Sequence, residues 1–342
     1  MMDILRLWVR TAAVVIAATG LGFPLVAAAA DKIPLKFATI SAPNNWETRM
    51  MHVFATYVEQ AAPGQFDIKV FDSGTLLQQG GQVQALARGT IEMVPLGSSW
   101  IVDALPQYGL LNAGYLLRDA SHLCSLWQSD IGDKIRQVTA EKMGFRVLAV
   151  LYTGTRQIGL RKKKDIRTPA DLAGLKIRMI GSKSYLFLGE ALGGKPTPMA
   201  FGEVYMALKT GTIDAQDNPL PTLYGAKFQE VLEQIVLTNH LVQDVLIGVS
   251  NIFWSKLNDT QKEIISEAAW VAADYATRAA LRDERTLKAT LTAAGLTVTT
   301  PDVAAFRAKV AAAYAADERA KAWEPGLWKK IESLPANPAC AY

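Results

Sequence analysis

Apolar and polar positions recur with two different periods along this chain, and the switches between them outline a succession of strands and helices. Residues 35–40 read as a first strand and residues 66–71 (FDIKVF) alternate at a period of two. Between them, 46–60 places Met50, Val53, Phe54, Tyr57 and Val58 at helical spacing. A helix over 78–88 stops at Gly89, and a short strand follows over 92–96. This β-α-β-α-β order predicts an α/β lobe with helices on both faces of a sheet. A strand over 146–153 leads out of it, and a second lobe is expected to begin at Gly154. There 156–160 and 176–180 read as strands, and 182–192 and 203–210 as helices, with a short strand near Ile213. Thr168-Pro169-Ala170-Asp171 is a helix start, with Thr as N-cap and Pro in the first helical position.

The longest pattern comes late. Thr260 to Glu263 fits a capping box, and neither Pro nor Gly follows until Gly295. Ile264, Ala268, Val271, Tyr275 and Ala279 recur at helical spacing. A helix over 260–294 would be about 50 Å long at 1.5 Å per residue. That exceeds one small domain, so the helix must span both lobes or kink between them. Residues 302–331 read as further helix with Trp323 and Trp328 as anchors. The pattern as a whole predicts two α/β lobes tied by one long helix, with ligand in a crevice at the carboxyl ends of strands.

Composition narrows the function. The 342 residues are 50% hydrophobic and 20% charged, enough for a sizeable core and outside the disordered class. A net charge of +4 with no basic stripe argues against nucleic acid. At the start, Arg6 and Arg10 precede an uncharged run over 11–30 that ends Ala28-Ala29-Ala30. This is the form of a cleavable secretory signal over 1–30, with a membrane anchor as its rival. Gly20, Gly22 and Pro24 break the run as a helix, which favours cleavage and a soluble protein outside the cytoplasm. Export would put Cys124 and Cys340 where disulfides form. Whether they pair depends on distances that sequence does not give.

Catalytic and cofactor motifs are missing. There is no HExxH, no nucleophile elbow and no dinucleotide fingerprint, and His52, His122 and His240 lie far apart. Gly189–Lys195 imitates most of a phosphate-binding loop, but Pro196 stands where the magnesium-ligating Ser or Thr belongs. No cofactor and no metal are expected. His240 is either a ligand contact or a hydrogen-bonded structural histidine. Two arginines are more suggestive. Arg178 lies within LKIRMI, and Arg156 lies on the same strand face as Ile158 and Leu160. A buried arginine needs an anionic partner, and its planar fork suits a carboxylate. The pattern leaves two partners open for each: an acidic residue of the chain, or the carboxylate of a ligand.

Around these arginines the chain resembles the solute-binding proteins of tripartite ATP-independent periplasmic (TRAP) transporters, the DctP family. The segments are Gly154-Thr-Arg-Gln157, Thr168-Pro-Ala-Asp-Leu-Ala-Gly-Leu-Lys-Ile-Arg178, Pro196-Thr-Pro-Met-Ala-Phe-Gly-Glu203-Val-Tyr205, Ile213-Asp-Ala-Gln-Asp-Asn218-Pro219 and Leu237-Thr-Asn-His240. The resemblance implies a two-lobe periplasmic-binding-protein-like fold with a ligand cleft and a long helix crossing both lobes. Lobe I would hold 31–153 and about 243–283; lobe II, 154–242 and about 284–342. It implies that Arg178 grips a ligand carboxylate, assisted by Arg156 and oriented by Asn218. Trp100, Trp46 and Tyr205 could stack on the ligand body, or serve only as packing. The first-lobe loop Leu77-Gln-Gln-Gly-Gly81 departs from the family pattern, where a Gly followed by an acidic residue is usual. The implied function is capture of a small organic acid for ion-gradient-driven membrane subunits, small and large, by a monomer. Some runs look like binders of sialic acid. The alternatives are a sensor-linked binding protein and a periplasmic enzyme using Glu203, Tyr205 or His240 as acid or base.

Overall fold

The computed structural model describes residues 31–340 and 342; the export signal expected over 1–30 lies outside them. Strands β1 (Ile33–Ala38), β2 (Phe66–Phe71) and β3 (Met93–Leu96) alternate with helices α1 (Trp46–Ala61) and α2 (Gln82–Arg88). Helices α3 (Ser99–Ala104), α4 (Ala120–Trp127) and α5 (Asp130–Met143) lead into β4 (Phe145–Leu160). The alternation resumes with β5 (Lys176–Met179), α6 (Lys183–Ala191), β6 (Lys195–Pro198), α7 (Val204–Thr210), β7 (Ala215–Pro219) and α8 (Leu220–Gly225). Then come β8 (Gln234–Ser250), α9 (Asn251–Trp254), α10 (Asp259–Ala293), β9 (Thr297–Thr299), α11 (Val303–Ala316) and α12 (Leu327–Glu332).

These strands form one sheet in the order β2-β1-β3-β8-β4-β7-β5-β6, with β9 attached to β8. The outer groups, β2-β1-β3 and β7-β5-β6, are parallel, as β-α-β connections require. The long pair β4 and β8 is antiparallel and joins them. The fold is thus α/β with two lobes sharing two strands. Sequence pattern split β4 at Gly154 and did not register β8 at all. The structure runs β4 straight through, absorbing the irregularity as a bulge between Tyr152 and Gly154. Gly154 has φ +122, and a Cβ there would lie 2.6 Å from Cβ of Pro219, so the bulge requires glycine.

Helix α10 is 35 residues long and packs against α1, β4 and α8. Its capping box is Asn258 with Gln261, two residues before the expected Thr260–Glu263 pair. Asn258 accepts from the Gln261 N–H at 2.9 Å, so the helix starts as soon as a good N-cap is available. Its buried stripe is also rotated from the expected one. Ile265, Ala268, Ala269, Ala272, Ala273, Ala276 and Ala280 face the core, while Trp270 is 59% exposed and Tyr275 also faces outward. Alanine lets the backbone approach the sheet closely, which is why the small residues rather than the large ones mark the inner face. At the C-terminal end Trp323 and Trp328 stack at 6.0 Å, as the anchoring role predicted.

Cys124 in α4 and Cys340 form a disulfide, with Cα atoms 5.6 Å apart. It spans 216 residues of chain. Among the described residues, no helix is long and apolar enough to cross a membrane.

Candidate ligand-binding site

The carboxyl ends of β1, β3, β5 and β7 open onto one cavity of about 80 Å³. From the first lobe it is walled by Ser41, Glu47, Gln79, Gln82, Gly97, Ser99 and Trp100. From the second come Arg178, Ile180, Phe201, Asn218 and Thr222, and the long strands add Thr153, Arg156 and Gln243. Another cavity, about 230 Å³, is walled mainly by apolar groups such as Val102, Phe187, Tyr314 and Trp323. The smaller one carries the chemistry, because both buried arginines line it.

The two arginines differ in what balances them. Arg156, on β4, is 2% exposed. Across the β4–β7 ladder Ile158 is registered with Asp217, which brings the Asp217 carboxylate under the guanidinium. Arg156 Nε donates to Asp217 Oδ2 at 2.6 Å and Nη2 to Oδ1 at 2.8 Å, a two-pronged ion pair. Nη1 donates to Gln243 Oε1, which also accepts from the Tyr185 hydroxyl at 2.9 Å. Burial works against both charges, yet each holds the other ionised: Asp217 is kept well below the usual carboxylate range and Arg156 is raised. Behind them His240 Nε2 lies 3.3 Å from Asp217, and Nδ1 lies 2.8 Å from the Thr238 hydroxyl. Burial lowers the His240 pKa, so the ring is neutral at neutral pH. This is the hydrogen-bonded structural histidine of the two roles open to it in the sequence.

Arg178, on β5, is 1% exposed and has no carboxylate at ion-pair distance among the described residues. Its Nε donates to the Met199 carbonyl at 3.0 Å and its Nη2 to Gln79 Oε1 at 3.0 Å. The guanidinium sits 5.9 Å from the Phe201 ring centre. Burial lowers its pKa to about 10, assisted by repulsion from Arg156 and opposed by Asp217. It is still a full cation at pH 7. Leaving a buried cation without a counter-charge costs on the order of several kcal/mol. Gln79 Oε1 also accepts from the Phe201 N–H at 2.8 Å, so one neutral oxygen from the first lobe bridges two donors of the second.

Of the other expected residues, Asn218 lines the cavity and donates one amide N–H to Gln216 Oε1 at 2.6 Å. Trp100 lines it from α3. Trp46 stands beside it, in the wall of a small neighbouring space shared with Ser41, Glu47, Thr153 and Thr222. Its Nε1 donates to Asp283 Oδ2 at 2.6 Å, and the Arg49 guanidinium lies 4.8 Å from its ring. Tyr205 is not among the residues that line the cavity; its hydroxyl donates to Glu230 Oε2 at 2.8 Å. Glu203, Tyr205 and His240 are not brought together. Sequence reasoning missed Gln79 and Phe201 as named residues, although both lie in segments it quoted. It missed Glu47 altogether, since an acidic residue in the first turn of a helix reads as a dipole partner.

The sequence model of the bacterial extracellular solute-binding proteins, family 7, matches residues 37–320. The sialic acid-binding periplasmic protein SiaP of Vibrio cholerae is 30% identical over 273 residues, covering 80% of this chain and 84% of its own. The 2,3-diketo-L-gulonate-binding periplasmic protein YiaO of Escherichia coli is 30% identical over 247 residues, covering 72% and 75%. A solved TRAP periplasmic solute-binding protein from Roseobacter denitrificans, with bound 3-deoxy-D-manno-oct-2-ulosonic acid, superposes with a TM-score of 0.86. It is 35% identical and the match covers 89% of this chain and 100% of that one.

Proposed function

Because the chain belongs to the bacterial extracellular solute-binding proteins of family 7, we propose that its cavity captures a small organic acid by the carboxylate. The observation that carries this is the contrast in partners: Arg156 is neutralised by Asp217, whereas Arg178 makes no ion pair with an acidic side chain among the described residues. A carboxylate is the ligand group that a planar, unpaired, buried guanidinium favours most. Arg178 is the clamp, Arg156 supports it from the wall, Asn218 orients the bound group, and Trp100 covers the ligand body. The relatives named above bind sialic acid, diketogulonate and an octulosonic acid, all organic acids, which supports the same reading.

No bond is made or broken in this reading. Lobe I holds 31–153 and about 243–283, and lobe II 154–242 and about 284–342. Their three crossings meet at one place. Gly154 is registered with Gln243, and Glu284 accepts from the Thr155 N–H at 2.6 Å and from the Tyr152 hydroxyl at 2.5 Å. The bulge there is the hinge about which the lobes close, and closure excludes water and strengthens each charged contact. The chain is exported by a cleavable signal over 1–30, works as a monomer, and delivers its ligand to the small and large TRAP membrane subunits.

A thermal-shift screen of the mature protein against organic acids, with Arg178→Ala alongside, tests this. Ligand at 1,000 times its dissociation constant adds roughly 4 kcal/mol, a shift of several degrees. The expected result is a stabilising acid whose effect vanishes in Arg178→Ala. A hit that survives the substitution would overturn the clamp.

A further inference from the structure

Resting on that reading, we propose that Glu47 selects for a hydroxylated monocarboxylate and against a second carboxylate on the ligand. Among the described residues the cavity wall holds one cation in no ion pair, Arg178, and one carboxyl in no ion pair, Glu47. They enter from opposite flanks of the sheet. Arg178 lies on β5; Glu47 lies in the first turn of α1 and is tied to the end of β1, where the Thr39 hydroxyl donates to its Oε1 at 2.5 Å. Four strands, β3, β8, β4 and β7, separate β1 from β5 in the sheet order. A ligand whose carboxylate reaches Arg178 therefore turns its other end toward Glu47.

Charge decides what that other end can be. A dicarboxylate needs a second cation, and the one other arginine in the wall, Arg156, is already held by Asp217. Against Glu47 a second carboxylate meets like charge in a partly buried wall, which disfavours it strongly. A hydroxyl group instead donates to the carboxyl. Burial raises the Glu47 pKa, the Thr39 and Ser41 hydroxyls lower it, and the net direction is upward. That direction marks a carboxyl short of compensating donors, which ligand hydroxyls would supply. The rest of the wall fits a polyol chain. Ser99 Oγ is buried without a hydrogen-bond partner among the described residues, and Gln82, Thr153 and Thr222 add neutral polar groups.

The test is a titration calorimetry series on pairs that differ only at the terminal carbon: D-gluconate against D-glucarate, and L-galactonate against galactarate. 3-Deoxy-D-manno-oct-2-ulosonate and succinate are included as further probes. Wild type should prefer the hydroxylated monocarboxylates at least tenfold. Glu47→Gln keeps an acceptor for Thr39 but removes the charge, and it should narrow that preference about tenfold. Arg178→Ala should abolish binding of every acid. A dicarboxylate that binds wild type as tightly as its monocarboxylate partner would overturn the role of Glu47. So would a preference unchanged in a folded Glu47→Gln. In both cases the clamp stands if Arg178→Ala still abolishes binding. Binding by none of these acids would overturn both readings. The wild-type comparison needs no substitution, so a variant that fails to fold leaves the proposal open to refutation.

Discussion

Arg156 and Arg178 are both buried, both on strands of the same sheet, and both in the wall of one cavity, yet one is satisfied from within and the other is not. Arg156 finds Asp217 on the next strand, with Gln243 and His240 completing the shell around the pair. Arg178 finds a backbone carbonyl and the neutral amide of Gln79. The lesson is that burial alone does not mark a binding residue. The informative quantity is the charge left uncompensated after every internal partner is counted.

The largest effect expected from this contrast is on folding. Arg156→Ala leaves Asp217 as a buried, uncompensated carboxylate and should destabilise the protein by about 3–5 kcal/mol in denaturant unfolding. A loss under about 1 kcal/mol would erase the distinction between the two arginines. Arg178→Ala should act on binding instead. Affinity should fall by about 100- to 1,000-fold, enough to take binding out of calorimetric range, as for truncation of a buried charged hydrogen-bond partner. The empty protein should melt at the same temperature or higher, because an unpaired cation has been removed. A drop in stability matching that of Arg156→Ala would break the comparison.

Asp244 sharpens it from the acidic side. It is a buried carboxylate in no ion pair among the described residues, accepting from the Ser98 hydroxyl at 2.8 Å, and Ser98 accepts from Asn112. Burial pushes its pKa up to about 6 from an ordinary 3.8. The folded state therefore binds the proton more tightly than the unfolded chain. Its stabilising contribution is present below about pH 4 and is lost as pH rises through about 6, worth about 2–3 kcal/mol. Asp244→Asn should remove that segment of the stability–pH curve and raise stability at pH 7. Chemical denaturation at pH 4, 5, 6 and 7 reads this directly, and parallel curves for variant and wild type would refute it. The smallest effect is expected at the far wall, where Trp100→Ala should weaken ligand binding about tenfold by lost apolar contact and leave folding unchanged.

The fold was legible where a local pattern had a local cause. Strand β2 lies where alternation placed it, and α1 differs by one residue. Strand β8 was hidden because Asn239-His240 and Gln243-Asp244 interrupt its apolar run. Those polar residues are satisfied across the sheet, by partners far away in sequence. The same limit governed the site. That Arg178 is buried on a strand could be read from LKIRMI. That Asp217 answers Arg156 could not, because the two meet only through strand register. Tyr205 looked like a cleft residue beside Glu203, but its hydroxyl turns to Glu230 instead. Glu47 carried no pattern of its own; its place in the cavity is fixed by how α1 follows β1.

The Cys124–Cys340 bond has a mechanical consequence. When the chain is pulled at Asp31 and Tyr342, tension passes from Asp31 to Cys124, across the sulfur bridge to Cys340, and out to Tyr342. The loop between the cysteines, a sequence separation of 216 that carries Arg156 and Arg178, is bypassed. Only the segment before Cys124 can be drawn out, about 90 residues or roughly 300 Å of contour length. In a force-extension experiment the oxidised protein should yield that short step. After the thiols are freed, the release should lengthen more than threefold.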